Sequence, residues 1–124
     1  MDSSEKSFNL EERTMKFASD VIILCRAIKE TTITKPLISQ IVRSASSVGA
    51  NYCEANNASS KKDFRNKIFI CKKEAQETKY WLRLLKTALP EKENDLKTLF
   101  QECHEFTLIF QKIISTMKNQ EKSI

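Results

Sequence analysis

A chain of 124 residues with one glycine and two prolines has few places to reverse direction. A β-sandwich or barrel needs a turn about every 8–12 residues, and those turns draw on glycine, proline and asparagine. Gly-rich phosphate loops are excluded too, because their several glycines let backbone N–H groups close around phosphate and here Gly49 stands alone. What remains is an all-helical chain. Its length fits one domain over residues 1–124, large enough to bury a core without a disulfide or metal staple.

Hydrophobic period then divides the chain into four helices. Leu10, Phe17, Val21, Leu24 and Ile28 make a stripe that predicts a helix over about 10–30. Thr34 is a candidate cap and Pro36 suits the first turn of a second helix over 35–58, where its missing N–H costs nothing. The middle of that helix is lined with small residues around Gly49, which predicts close approach of a neighbour. Ser60 with Asp63 forms a capping box that opens a third helix over 60–88. Its stripe is Phe64, Ile68, Cys71, Ala75, Thr78, Leu82 and Leu85. After Pro90 a fourth helix over 92–118 carries Leu96, Leu99, Cys103, Phe106, Phe110, Ile113 and Met117. Two unbroken heptad stripes and short connections give an antiparallel up-down-up-down four-helix bundle. Residues 1–8 and 119–124 read as loose tails.

Charge is concentrated. Residues 35–87 hold eleven Lys/Arg against four Asp/Glu, a net of +7, within a chain of net +5. A basic segment of this kind suits RNA or DNA, or equally a lysine-rich solvated surface. No apolar stretch is long enough to cross a membrane and nothing resembles a signal peptide, so the expected location is cytoplasmic, with reduced thiols.

Catalytic and metal chemistry are poorly supplied. His104 is the sole histidine, so the two Glu-x-x-His motifs of a carboxylate-bridged di-iron bundle are missing. No arginine stands among residues 97–100 to make a helical ribonuclease motif with His104. Cys25, Cys53, Cys71 and Cys103 contain no CxxC pair, and helical rise puts Cys25 and Cys53 on the order of 20 Å apart. They read as small core or boundary thiols. The expectation is a chain that is not an enzyme and takes no cofactor, metal or small-molecule substrate.

Two groups of residues stand out. On the third helix one heptad column is cationic throughout: Arg65, Lys72, Lys79 and Lys86, with Lys61 and Lys62 at its start and Lys67, Lys73 and Arg83 around it. Cations in a line engage phosphates without reading sequence, whereas long cationic stems beside a core seam are the structural alternative. No aromatic residue accompanies the column, so recognition of single-strand bases is not expected there. The second group is Arg43, Asn51, Glu54 and Glu77, with Trp81 on the opposite flank of the third helix. An antiparallel helix pair brings Glu77 toward Arg43 and a basic or polar residue toward Glu54, as ion pairs that fix register. Apolar residues outside the stripes, including Ile22, Ile23, Ile70, Leu108 and Ile109, point to self-association.

The run from Gln40 through Arg43, Ser47, Asn51 and Glu54 to Ala55 has the pattern R-[AS]-x-x-S-[IV]-x-x-N-x-x-E-[AG]. It continues in Ser60-Lys61-Lys62-Asp63-Phe64 and in Lys73-Glu74-Ala75-Gln76-Glu77-Thr78-Lys79-Tyr80-Trp81-Leu82. Over about residues 37–85 the chain resembles the four-helix-bundle family described from intervening sequences of bacterial 23S rRNA genes. Cys53 and Asn57 depart from it, standing where many relatives are expected to carry arginine. The resemblance implies a homo-oligomer, specifically a pentameric ring, of uncharacterised biological role. It also implies a related branch, the accessory protein of diversity-generating retroelements, which works with a reverse transcriptase. The resulting expectation is a non-enzymatic oligomer that binds RNA or DNA through the basic face of its third helix. The alternative is a structural or adaptor module that contacts itself or another protein, such as a reverse transcriptase, without touching nucleic acid.

Overall fold

Corners of the chain form where the punctuating residues fall. The structure, a computed structural model, describes residues 9–122. Helix α1 covers Leu10–Arg26, α2 Thr34–Asn56, α3 Lys61–Ala88 and α4 Glu93–Lys122, with a 3₁₀ turn at Pro90–Lys92 between the last two. No strand occurs among the described residues. Each helix packs on the next in sequence and α1 closes on α4, which makes the antiparallel four-helix bundle.

Helix ends differ from the periodic reading for local reasons. α1 stops at Arg26 rather than near 30: Ala27 N–H bonds to Leu24 O and Ile28 N–H to Cys25 O, a tightened last turn. Ile28 still packs into the core, from the connection rather than the helix. Thr34 is the first residue of α2 rather than its cap; the cap position is Ile33, and the first N–H groups are met by Thr31. Thr31 Oγ1 accepts from Thr34 N–H at 3.0 Å, while the Thr34 hydroxyl is buried and donates to Lys29 O at 2.7 Å. Ser60 caps α3 as its sequence implies, its Oγ accepting from Asp63 N–H at 3.0 Å. α4 continues to Lys122, so the tail expected from 119 is helical through that residue. Residues 1–8, expected to be a tail, lie outside the described residues, as do 123–124.

One stripe from each helix meets in a single core that includes Phe17, Val21, Ile41, Ile68, Leu82, Leu96, Phe106 and Phe110. On α4 the buried position moves from 113 to 114 in the last heptad, leaving Ile113 half-buried. An α-helix of 3.6 residues per turn drifts about 20° per heptad against a strict seven-residue repeat, which accounts for that shift. α1 has 17 residues and α4 has 30, or about 25 Å against about 45 Å by helical rise. The far end of α4 is therefore uncovered by α1, and a groove of about 540 Å³ opens beside Leu10, Tyr52, Ile113 and Met117.

The seven-residue gap in the α1 stripe, from Leu10 to Phe17, is filled by Thr14, which is fully buried. Its hydroxyl donates to Leu10 O at 2.9 Å, so the polar atom is satisfied within its own helix. Thr14 faces Gly49, where an added Cβ would stand 2.9 Å from Thr14 Oγ1 and 3.2 Å from its Cβ. Close packing of α1 on α2 thus explains the glycine in mid-helix. Gly49→Ala gains roughly 1 kcal/mol of helix propensity but overpacks this contact by about 1–3 kcal/mol, for a net loss. Urea unfolding is expected to show Gly49→Ala less stable than the parent by about 1 kcal/mol, with Gly49→Ala/Thr14→Ala recovering about 1 kcal/mol relative to additivity of the single changes.

Candidate nucleic-acid interface

α3 presents three flanks outside the core, and its charges differ in fate on each. The flank toward α4 carries the cationic column, as its heptad positions require. All four members are held by α4: Arg65 pairs with Glu121, Lys72 Nζ donates to Gln111 Oε1 at 2.5 Å, and Lys86 lies 3.2 Å from Glu93. Lys79 Nζ stands 2.9 Å from His104 Nδ1 and 5.3 Å from the centre of the Phe100 ring. The column is therefore a seam between two helices rather than an open cationic face. Positions beside the core stripe lie against the neighbouring antiparallel helix, so their long stems cross to its polar groups.

The flank toward α2 holds the second group. Arg43 bridges to Glu74 at 3.3 Å and also pairs with Glu77, while Lys67 Nζ lies 2.7 Å from Glu54. Trp81 Nε1 donates to Glu77 Oε1 at 3.2 Å. Beneath these, Thr78 Oγ1 donates to Ser44 Oγ at 2.8 Å, fully buried. Facing residues (43 with 77, 44 with 78, 54 with 67) keep one antiparallel register from end to end. Asn51 departs from the expected role: its Nδ2 donates to Ser47 O at 2.8 Å within α2 and does not bridge helices. Burial pushes the Glu77 carboxyl up, but the Trp81 hydrogen bond and the Arg43 charge outweigh it, leaving Glu77 below its ordinary value.

The third flank faces outward, and its cations are unengaged. Lys62 and Lys73 are exposed, and their side chains have no ion-pair or hydrogen-bond partner among the described residues; the same holds for the side chains of Lys61 at the start of the helix and of Arg83, which stands about 60° round toward α4, beside Lys86, Glu93 and Phe100. Between them stand two exposed aromatics, Phe69 at 48% and Tyr80 at 54% exposure. Lys62, Phe69, Lys73 and Tyr80 are separated by seven, four and seven residues, which at about 100° per residue keeps them within about 40° of one line along the helix. The sequence signal was present: both rings fall outside the core heptad. Attention to the charged column hides them, since they lie on a different flank.

A clasp between α1 and α4 also escaped the periodic reading. Arg13 Nη2 is 2.6 Å from Glu102 and 3.6 Å from Glu105, with its guanidinium 5.3 Å above the Phe106 ring. Of the cysteines, Cys25, Cys71 and Cys103 are buried, Cys53 is exposed and all four are free. Burial pushes the Cys71 and Cys103 thiols up to about 12, so at neutral pH they are protonated packing groups. No cluster of three or more His, Cys, Asp or Glu side chains placed to hold a metal occurs among the described residues.

Comparison with known proteins finds both a family and a solved structure that this chain resembles. The family model described as 23S rRNA-intervening sequence protein matches residues 6–112. A crystal structure from Bacteroides thetaiotaomicron, of a protein of unknown function from the S23 ribosomal protein family, is 32% identical. It covers 84% of this chain and 96% of its own, with a TM-score of 0.75. No curated protein matches.

The α2–α3 ion pairs make two measurable statements. Arg43→Ala strands the Glu74 carboxylate, whose side chain is only 12% exposed, and is expected to cost about 1–3 kcal/mol in urea unfolding at pH 7. Because the folded-state value of Glu77 is depressed, its stabilising contribution is present above its ordinary value of 4.5 and is lost as pH falls below that through the folded value. The stability gap between the parent and Glu77→Gln, followed by thermal melts from pH 7 to pH 3, is therefore expected to be full at neutral pH and to narrow below about 4.5.

Proposed function

Because the chain belongs to the 23S rRNA-intervening sequence protein family, we propose that it is a non-enzymatic, oligomeric binding protein that holds RNA or DNA on the outward flank of α3. The observation that carries this reading is the contrast between two sets of cations on one helix. Arg65, Lys72, Lys79 and Lys86 are engaged by α4, whereas the exposed side chains of Lys62 and Lys73, and of Arg83 nearer α4, have no partner among the described residues. A line of free cations attracts phosphates by charge and counterion release, without a requirement for sequence. The relatives' descriptions, 23S rRNA-intervening and S23 ribosomal, set them in the context of ribosomal RNA. The sole histidine is beside Lys79 in the α3–α4 seam, which leaves no obvious acid–base pair and favours binding over catalysis.

Filter titrations against RNA and duplex DNA at 0.05 M and 0.15 M salt, with a Debye length of about 8 Å at the higher value, test this reading. Micromolar or tighter binding is expected, with a salt slope that falls by roughly one for each cation removed in Lys73→Glu and Arg83→Glu. Lys72→Glu is expected to appear chiefly as lost stability, because that residue crosses to Gln111. Absence of binding at the lower salt overturns the proposal.

Assembly is supported by a separate observation. Met15, Ile22 and Ile23 of α1 and Leu108 of α4 are exposed, with Ile23 at 63%. Apolar side chains on the outer surface favour contacts between copies, in the pentamer that the family resemblance implies, or with a protein partner of the adaptor reading. Light scattering after size exclusion is expected to give an oligomer mass for the parent and a lower mass for Ile22→Asp/Ile23→Asp. A monomer mass for the parent at micromolar concentration removes self-assembly and leaves the adaptor reading to be tested against partners.

A further inference from the structure

The geometry points to single-stranded nucleic acid as the ligand of the outward α3 flank, with bases stacked on Phe69 and Tyr80 and phosphates held by Lys62, Lys73 and Arg83. This rests on the nucleic-acid reading above and narrows it to one class of strand. Exposed rings among unpaired cations are a specific arrangement. Phe69 lies between Lys62 and Lys73 on one line of the helix, and Tyr80 follows Lys73 on that line, with Arg83 a turn further on and about 60° round toward α4. Stacking on an aromatic face accepts any base, because every base has a π-face, and cations beside the ring hold the connecting backbone.

A duplex cannot use both parts of this surface. Its bases are stacked on one another and turned inward, so the two rings would lose water against a phosphate ridge and gain no partner. A single strand can splay its bases onto the rings while its phosphates meet the lysines. The rings are eleven residues apart, about 16 Å along the helix axis. Stacked neighbours within a strand are only about 3.4 Å apart, so the rings engage bases separated by others rather than adjacent ones. The cations span Lys62 to Arg83, about 31 Å by the same rise.

Tyr80 is also positioned to report occupancy. Its ring meets that of Trp81 edge-on at 5.1 Å between centroids, and Trp81 is the sole tryptophan of the chain. A base arriving on Tyr80 therefore changes the surroundings of the indole, and tryptophan emission should respond to single strands and not to duplex.

The test uses the full chain with fluorescein-labelled 15-nucleotide single strands (roughly the length of a stacking-groove site) of RNA and DNA, alone and as matching duplexes, by anisotropy and Trp81 emission. Single strands are expected to bind about 10-fold or more tightly than duplex. Phe69→Ala and Tyr80→Ala are each expected to weaken single-strand binding about 5- to 100-fold while moving duplex affinity less than about twofold. Both rings are exposed, so circular dichroism should be unchanged; Phe69→Leu and Tyr80→Phe serve as milder variants, the second expected to retain affinity. Equal affinity for single strand and duplex, or no effect of either alanine change, overturns the stacking proposal and leaves charge-driven binding standing. Failure of every nucleic acid to bind removes both readings. A drop in light-scattering mass in Phe69→Ala/Tyr80→Ala shows the flank to be a contact between copies of the chain and also overturns the proposal.

Discussion

The hydrogen bond from Thr78 to Ser44, buried between α2 and α3, is the constraint around which the bundle is arranged. A heptad stripe alone tolerates sliding by a turn, since one apolar residue replaces another. Two hydroxyls that meet in a dry seam favour one alignment, because a slip breaks the hydrogen bond between them, worth about 1 kcal/mol. Each hydroxyl also lies within reach of a carbonyl of its own helix, Thr78 of Glu74 O at 2.8 Å and Ser44 of Ile41 O at 3.4 Å, so the bond across the seam adds alignment to groups that are already satisfied locally. The same alignment places Arg43 on Glu74 and Glu77 and Lys67 on Glu54. Exposed pairs of this kind add little energy singly, but they do reject the wrong register.

With α2 and α3 aligned, the roles of the other α3 flanks are settled. The flank at about a quarter turn from the core meets α4, and its cations are drawn into that seam. The flank opposite the core packs against no helix among the described residues. The chemical distinction between Lys72 and Lys73, neighbours in sequence, follows from one step of helical rotation. One reaches Gln111 across the seam; the other is exposed and has no side-chain partner among the described residues.

Much of this was legible before any coordinates. The heptads of α3 and α4, the Ser60 cap and the Arg43–Glu77 and Glu54 pairings all follow from spacing, because each depends on residues within one helix or on a register that two pairs share. What spacing could not give depended on the third dimension. Thr14 looked like a break in the α1 stripe because a threonine carries no hydrophobic signal, and only its position opposite Gly49 shows why a small residue is needed there. The cationic column was correctly placed on one face, yet the face was a seam, since a heptad letter does not say how far the neighbouring helix reaches. Asn51 was read as an interface group and instead satisfies Ser47 O on its own helix, a choice that a short amide always has.

The unequal lengths of α1 and α4 have a dynamic meaning. α1 is the shortest helix, it meets α4 along the sparsest of the helix–helix seams, and the Arg13 clasp to Glu102 and Glu105 is a conspicuous part of that seam. α3 packs far more extensively, against α2 on one side and α4 on the other. Opening free energy within a folded protein tracks such differences in local packing. The seam between α1 and α4 is thus the lightest closure of the bundle, and α1 is the helix whose amide protons are expected to exchange ahead of those in the α2–α3 hairpin.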